Sequence, residues 1–184
     1  MTEKSILTWI KSNLGAFIRQ AIANTPIPEN IIAGMIMRET GLLIQDKLKL
    51  NPKANPAMIG TLMRGDYSQR LGETEKQFRG YGFLQIDIAS FPDFVKSGDW
   101  KDPFKAIQKG VSVLQDKKRI LSLNFPKLLP DELLRASIAA YNCGQAHVIH
   151  CLSSVPPIDI DFYTYSKNYS AEVLRFSDIY KELP

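Results

Sequence analysis

Residues 131–144 constrain the fold more than any other stretch of the chain. Asp131-Glu132 opens a helix, and Leu133, Leu134, Ala136, Ile138, Ala139 and Ala140 make it apolar almost all round. Such a helix is stable only when other elements bury it on every side. The rest of the chain supplies them. Ile6, Leu7, Trp9, Ile10, Leu14, Phe17, Ile18, Ala21 and Ile22 recur three and four apart, which predicts an amphipathic helix over 3–23. Asn24-Thr-Pro-Ile-Pro28 stops it, and a second helix is expected from Glu29 to about Leu43, with acidic Glu29 suited to its first turn. From Asp102-Pro103 a third apolar stripe runs through Phe104, Ile107, Val111, Leu114 and Ile120, and Tyr169 to Leu183 reads as a final amphipathic helix. At 184 residues, one domain is expected, long enough to bury a core without disulfide staples.

Two stretches break the helical pattern. Residues 45–79 carry Asn51-Pro52, Asn55-Pro56, Gly60, Gly65-Asp66 and Gly72 among many charges. They read as a long polar insertion with one short helix near 56–64, and a loop of this length usually borders a functional cleft or is mobile. The run Arg79-Gly80-Tyr81-Gly82-Phe83-Leu84-Gln85-Ile86-Asp87 fits a short hairpin. The expected fold class is therefore α+β, mainly α, with a small β-hairpin element.

Composition excludes several classes. Hydrophobic residues are 45% and charged residues 23%, which rules out a disordered or low-complexity chain. No segment approaches the roughly 18 apolar residues of a membrane span. The N-terminal apolar stretch is cut by Lys11, a poor signal-peptide core. The net charge of +4 suits an anionic partner, yet no basic stripe marks a nucleic-acid surface. Cys143 and Cys151 read as free thiols, since one continuous helix would hold them about 12 Å apart, a separation that a break at Gly144 would change. The same separation argues against a metal site of Cys143, His147, His150 and Cys151. No metal or cofactor is expected.

Glu39 follows Met35, Ile36 and Met37, and a carboxyl held against apolar neighbours has a raised pKa, as a general acid near neutrality requires. Met35-Ile-Met-Arg-Glu39-Thr-Gly41, then Gly80-Tyr-Gly-Phe-Leu-Gln85-Ile-Asp87, then Ala136-Ser-Ile-Ala-Ala-Tyr141-Asn-Cys-Gly144, then Asn168-Tyr-Ser-Ala-Glu-Val173 occur in that order. Together they resemble the goose-type lysozymes and the related lytic transglycosylases over about residues 5–183. Thr40 stands where the family has Ser, and Cys143 where it has Ala.

The resemblance implies a lysozyme-like fold and cleavage of the β-1,4 bond between N-acetylmuramic acid and N-acetylglucosamine in bacterial peptidoglycan. It makes Glu39 the general acid and Asp87 an assisting carboxylate. Gln85, Tyr141, Asn142 and Tyr81 become candidate substrate contacts, with Tyr81 and Phe83 equally readable as cleft aromatics or as ordinary hairpin packing. The segment between Glu39 and Asp87 is much longer than in goose-type enzymes. A further assisting acid is expected within it, where Asp66, Glu73 and Glu75 are available and Asp66 follows Gly65. A hydrolase needs a second carboxylate to activate water. A transglycosylase does not, because the sugar's own 6-hydroxyl attacks to give a 1,6-anhydro product. A non-catalytic wall-binding domain would retain the fold without the chemistry. The expected setting is secretion or delivery to the cell wall or periplasm as a monomer, with an inhibitor or immunity protein as a conceivable partner.

Overall fold

The computed structural model describes residues 1–184. It is mainly helical, with two small antiparallel hairpins. Helix α1 spans Glu3–Ile22 and is capped by Thr2, whose hydroxyl accepts the Ser5 N–H. Helix α2 spans Glu29–Leu50. It therefore runs on beyond Leu43 into the stretch read as insertion. Ile44 and Leu48 lie one turn apart and are buried, so the apolar stripe continues past Gly41. Asn51-Pro52 ends it, because the residue before proline avoids the helical conformation.

The rest of the insertion is ordered. Helix α3 is Pro56–Gly60, capped by Asn55. Strands β1 (Tyr67–Ser68) and β2 (Gln77–Phe78) pair antiparallel, Tyr67 opposite Phe78, with their rings 5.0 Å apart. Strands β3 (Gly80–Tyr81) and β4 (Ile86–Asp87) form the expected hairpin, Gly80 opposite Asp87. Helix α4 (Pro92–Ser97), absent from the sequence reading, ends at Gly98. Helix α5 is Pro103–Asn124, capped by Asp102.

Helix α6 is Pro130–Cys143, and Ala136 to Ala140 are buried without interruption, as its composition requires. Gly144 breaks the chain at φ +88°, a conformation that favours glycine, and α7 (Gln145–Ser153) starts immediately after it. Helix α8 is Tyr169–Lys181.

The main core gathers α1, α2, α5, α8 and the β3–β4 turn, where Phe83 and Leu84 are fully buried. A smaller core joins α5, α6 and α7 around Leu121, Ala139 and Val148. Helices α2 and α8 approach closely at Gly34. A Cβ there would lie 2.5 Å from the Val173 carbonyl oxygen, so only glycine permits this contact. That approach brings the first turn of α8 against the middle of α2, where Glu39 stands.

Candidate functional site

Glu39 lies in the middle of α2, not near a helix end, because α2 extends to Leu50. The residue is half-buried, and burial of its carboxyl pushes its pKa up to about 7. Two weaker influences oppose that rise: a hydrogen bond from Tyr169 and the positive charge of Arg38. The Tyr169 hydroxyl donates to Glu39 Oε1 at 2.5 Å. Burial, with the nearby Glu39 charge, holds the Tyr169 and Tyr141 hydroxyls well above the usual tyrosine range. Both phenols therefore stay protonated at any working pH, and Tyr169 is a fixed donor to Glu39.

The neighbouring residue ties the hairpin to this spot. Thr40 is buried, and its hydroxyl lies 3.0 Å from the Phe83 carbonyl and 3.1 Å from the Ile36 carbonyl. Tyr141 pins the same turn from α6, its hydroxyl donating to the Leu84 carbonyl at 2.7 Å. The turn that carries Phe83 and Leu84 is thus clamped between α2 and α6. Replacing Thr40 by Val keeps the shape but leaves the Phe83 carbonyl without this donor. A loss of about 1–2 kcal/mol is expected in urea unfolding. An unchanged midpoint would show that the clamp contributes nothing.

The other residues singled out in the sequence are placed as follows. Tyr141 sits beside Glu39, but its hydroxyl proton is taken by the backbone, so its observed part is structural. Gln85 is folded back into the hairpin. Its Nε2 donates to the Gly82 carbonyl, and its Oε1 fills the space where Gly65 and Gly80 lack a side chain. Asn142 is exposed and accepts the Tyr165 N–H at 2.9 Å. Tyr81 packs edge-on against Trp100 at 5.1 Å, and Phe83 is a core residue, so hairpin packing accounts for both aromatics.

The carboxylates divide more sharply. Asp87 pairs with Arg70 at 2.8 Å, and its other oxygen accepts from the Ser90 N–H and hydroxyl. No hydrogen bond or ion pair joins it to Glu39. Glu73 is bound by the Arg79 guanidinium and the Arg70 N–H, which hold its pKa down at about 2. It ties the loop between β1 and β2 to Arg79, at the end of the insertion. Glu75 is exposed. Asp66 is also exposed, and only its backbone carbonyl is engaged, by the Arg79 N–H.

Sequence reasoning gave no role to Tyr169, Arg38 and Glu172, which surround Glu39, or to Asp161, which holds α8 in place. Tyr169 entered as the start of a helix and as part of the fourth motif, with no role of its own. Arg38 pairs through Nε with Glu172 at 2.8 Å, and its guanidinium lies 5.6 Å from the ring centres of both Tyr165 and Tyr169. Asp161 is buried and gathers the start of α8, accepting from the Ser170 N–H, the Ser170 hydroxyl and the Ala171 N–H. The sequence signal for Asp161 was its place in the polar loop just ahead of a helix, where acidic caps are favoured.

No group of three or more His, Cys, Asp or Glu side chains converges as a metal site. Cys143 is half-buried and Cys151 buried, both free, and His147 stacks on Tyr163 at 4.5 Å. No helix is long and apolar enough to cross a membrane. Searches of protein-family models and of curated proteins return no match to this chain.

Proposed function

We propose that this chain cleaves the β-1,4 bond between N-acetylmuramic acid and N-acetylglucosamine in peptidoglycan, on a lysozyme-like fold, with Glu39 as general acid. The observation that carries this reading is the Glu39 carboxyl, whose pKa of about 7 leaves a large protonated fraction at neutral pH. The four sequence motifs supply the substrate, and a net charge of +4 suits an anionic wall polymer at which the protein would be delivered.

In this mechanism Tyr169 occupies Oε1, so the transferable proton sits on Oε2. It passes to the glycosidic oxygen as the bond to the muramic acid C1 breaks. The electron pair leaves with that oxygen, and an oxocarbenium-like centre develops at C1. The Tyr169 hydrogen bond then steadies the Glu39 carboxylate. In the hydrolytic reading a water bonds to C1 and gives its proton to a second carboxylate. Asp66 and Asp87 are the candidates, and Asp66 is the one whose carboxylate is unengaged.

One observation favours lytic transglycosylation instead. The charged group acting on Glu39 is Arg38, not a second carboxylate, and Asp87 is taken by Arg70 and Ser90. In that reading the muramic acid 6-hydroxyl bonds to C1 and returns its proton to the Glu39 carboxylate.

Digestion of purified peptidoglycan by wild type and Glu39→Gln, followed by mass spectrometry, tests both. Fragments carrying an added water support the hydrolase. Fragments one water lighter, with anhydro ends, support the transglycosylase. No release by the wild type across pH 5–8 would overturn the proposed activity.

A further inference from the structure

The first turn of α8 grips two consecutive residues of α2. Tyr169 and Glu172 are three apart, so they share one helix face. Tyr169 takes the Glu39 carboxyl, and Glu172 takes the Arg38 guanidinium at 2.8 Å. Arg38 is thereby held near the rings of Tyr165 and Tyr169, at 5.6 Å from each ring centre. Glu39 and Glu172 are alternative anions for this one cation. The ionisable groups gathered here are Arg38 from α2, Tyr141 from α6, and Tyr169 and Glu172 from α8. Arg175, one turn along α8, pairs with Glu3 at 2.7 Å and also feels the Glu172 charge.

We propose that Glu172 is a positioning residue: by pairing with Arg38 it keeps the guanidinium off Glu39 and so sets the pH range over which Glu39 holds its proton. The inference rests on the reading of Glu39 as the acid, but it concerns a titration that is measurable without substrate. Removing the Glu172 charge leaves the Arg38 cation, which already acts on Glu39, without its paired anion. A cation drawn toward a carboxyl favours its ionised form. The acid form of Glu39 would then be lost at lower pH, and the rate at alkaline pH would fall with it.

The test compares wild type, Glu172→Gln, Arg38→Met and the double variant. Carbon-13 NMR of the purified proteins follows the Glu39 carboxyl, assigned by its absence from Glu39→Gln. In Glu172→Gln the midpoint is expected to drop by about one pH unit, and in Arg38→Met it is expected to rise. The double variant should return to or above the wild-type midpoint. A purely structural role for Glu172 would move stability without moving the titration. In the cleavage assay the alkaline limb of the pH profile should shift with the NMR midpoint, giving up to about tenfold less activity at pH 8 for Glu172→Gln. An unmoved Glu39 titration in folded Glu172→Gln overturns the proposal. If Glu172→Gln does not fold, an unmoved titration in Arg38→Met does so. If the midpoints move as expected but no variant or wild type cleaves peptidoglycan, the tuning stands and the assigned substrate fails.

Discussion

Glu39→Gln is expected to abolish peptidoglycan cleavage and, at alkaline pH, to stabilise the fold. The first effect follows from removing the transferable proton, and loss of a general acid typically costs 10²–10⁴-fold in rate. The second follows from linkage. The folded-state pKa of Glu39, about 7, lies above its ordinary value of 4.5. Between those values the native state binds more protons than the unfolded chain, so raising the pH through that window drains stability. Below 4.5 the carboxyl is neutral in both states and no deficit exists. Above 7 the deficit is complete, and the full shift corresponds to roughly 3 kcal/mol. Gln is neutral throughout and offers Tyr169 the same amide oxygen in place of Oε1. Urea unfolding of both proteins should therefore give nearly equal stabilities at pH 4. At pH 8 the variant should be more stable by up to about 3 kcal/mol. The same difference at both pH values would mean that the Glu39 carboxyl is not desolvated, and would remove the physical basis for its role as acid.

The helices were legible because their apolar residues repeat with the helical period, and Ala136 to Ala140 announced a buried helix by having no polar face. The end of α2 was placed near Leu43 because the charges, prolines and glycines of 45–79 read as loop, whereas the Ile44–Leu48 pair packs into the core and carries the helix onward. The β1–β2 hairpin escaped notice because each strand is two residues long, too short to show alternation. Glu39 stood out by its apolar neighbours, and the motif around it, through the family resemblance, made it the candidate acid. Its hydrogen-bond partner did not stand out, since Tyr169 is 130 residues away and only the close approach at Gly34 brings the two helices together. The carboxylates show the limit of reading charge from sequence. Asp87, Glu73 and Asp66 look alike in the chain. Two of them are tied to arginines, and which arginine reaches which acid is decided by the folding of the insertion.

Asp161→Ala should be the most damaging substitution remote from the Glu39 carboxyl. Asp161 is 1% exposed and caps α8 from the preceding loop. Its carboxylate accepts the Ser170 N–H at 2.9 Å, the Ser170 hydroxyl at 2.6 Å and the Ala171 N–H at 3.3 Å. The Thr164 hydroxyl, which donates to the Asp161 backbone and carboxylate oxygens, itself accepts the Tyr169 N–H. Arg135 stands 3.6 Å away and balances the charge. Truncation leaves the Ser170 and Ala171 donors buried without an acceptor, while Arg135 keeps its second partner, Asp159, at 3.5 Å. Losses of this kind are typically 3–5 kcal/mol, enough to unfold a domain of ordinary stability in mild denaturant. Asp161→Asn retains one acceptor oxygen but turns an N–H₂ toward other donors, so it should fall between the two. The consequence extends to function because the residues Asp161 holds lie on either side of Tyr169. A looser first turn of α8 lets the Tyr169 hydroxyl drift from Glu39 Oε1, and the bond that leaves the proton on Oε2 weakens. In a variant that still folds, cleavage should therefore fall further than the folded fraction does, measured by circular dichroism and product release on the same samples. Equal losses in both would confine Asp161 to stability and separate the anchoring of α8 from the aim of the acid.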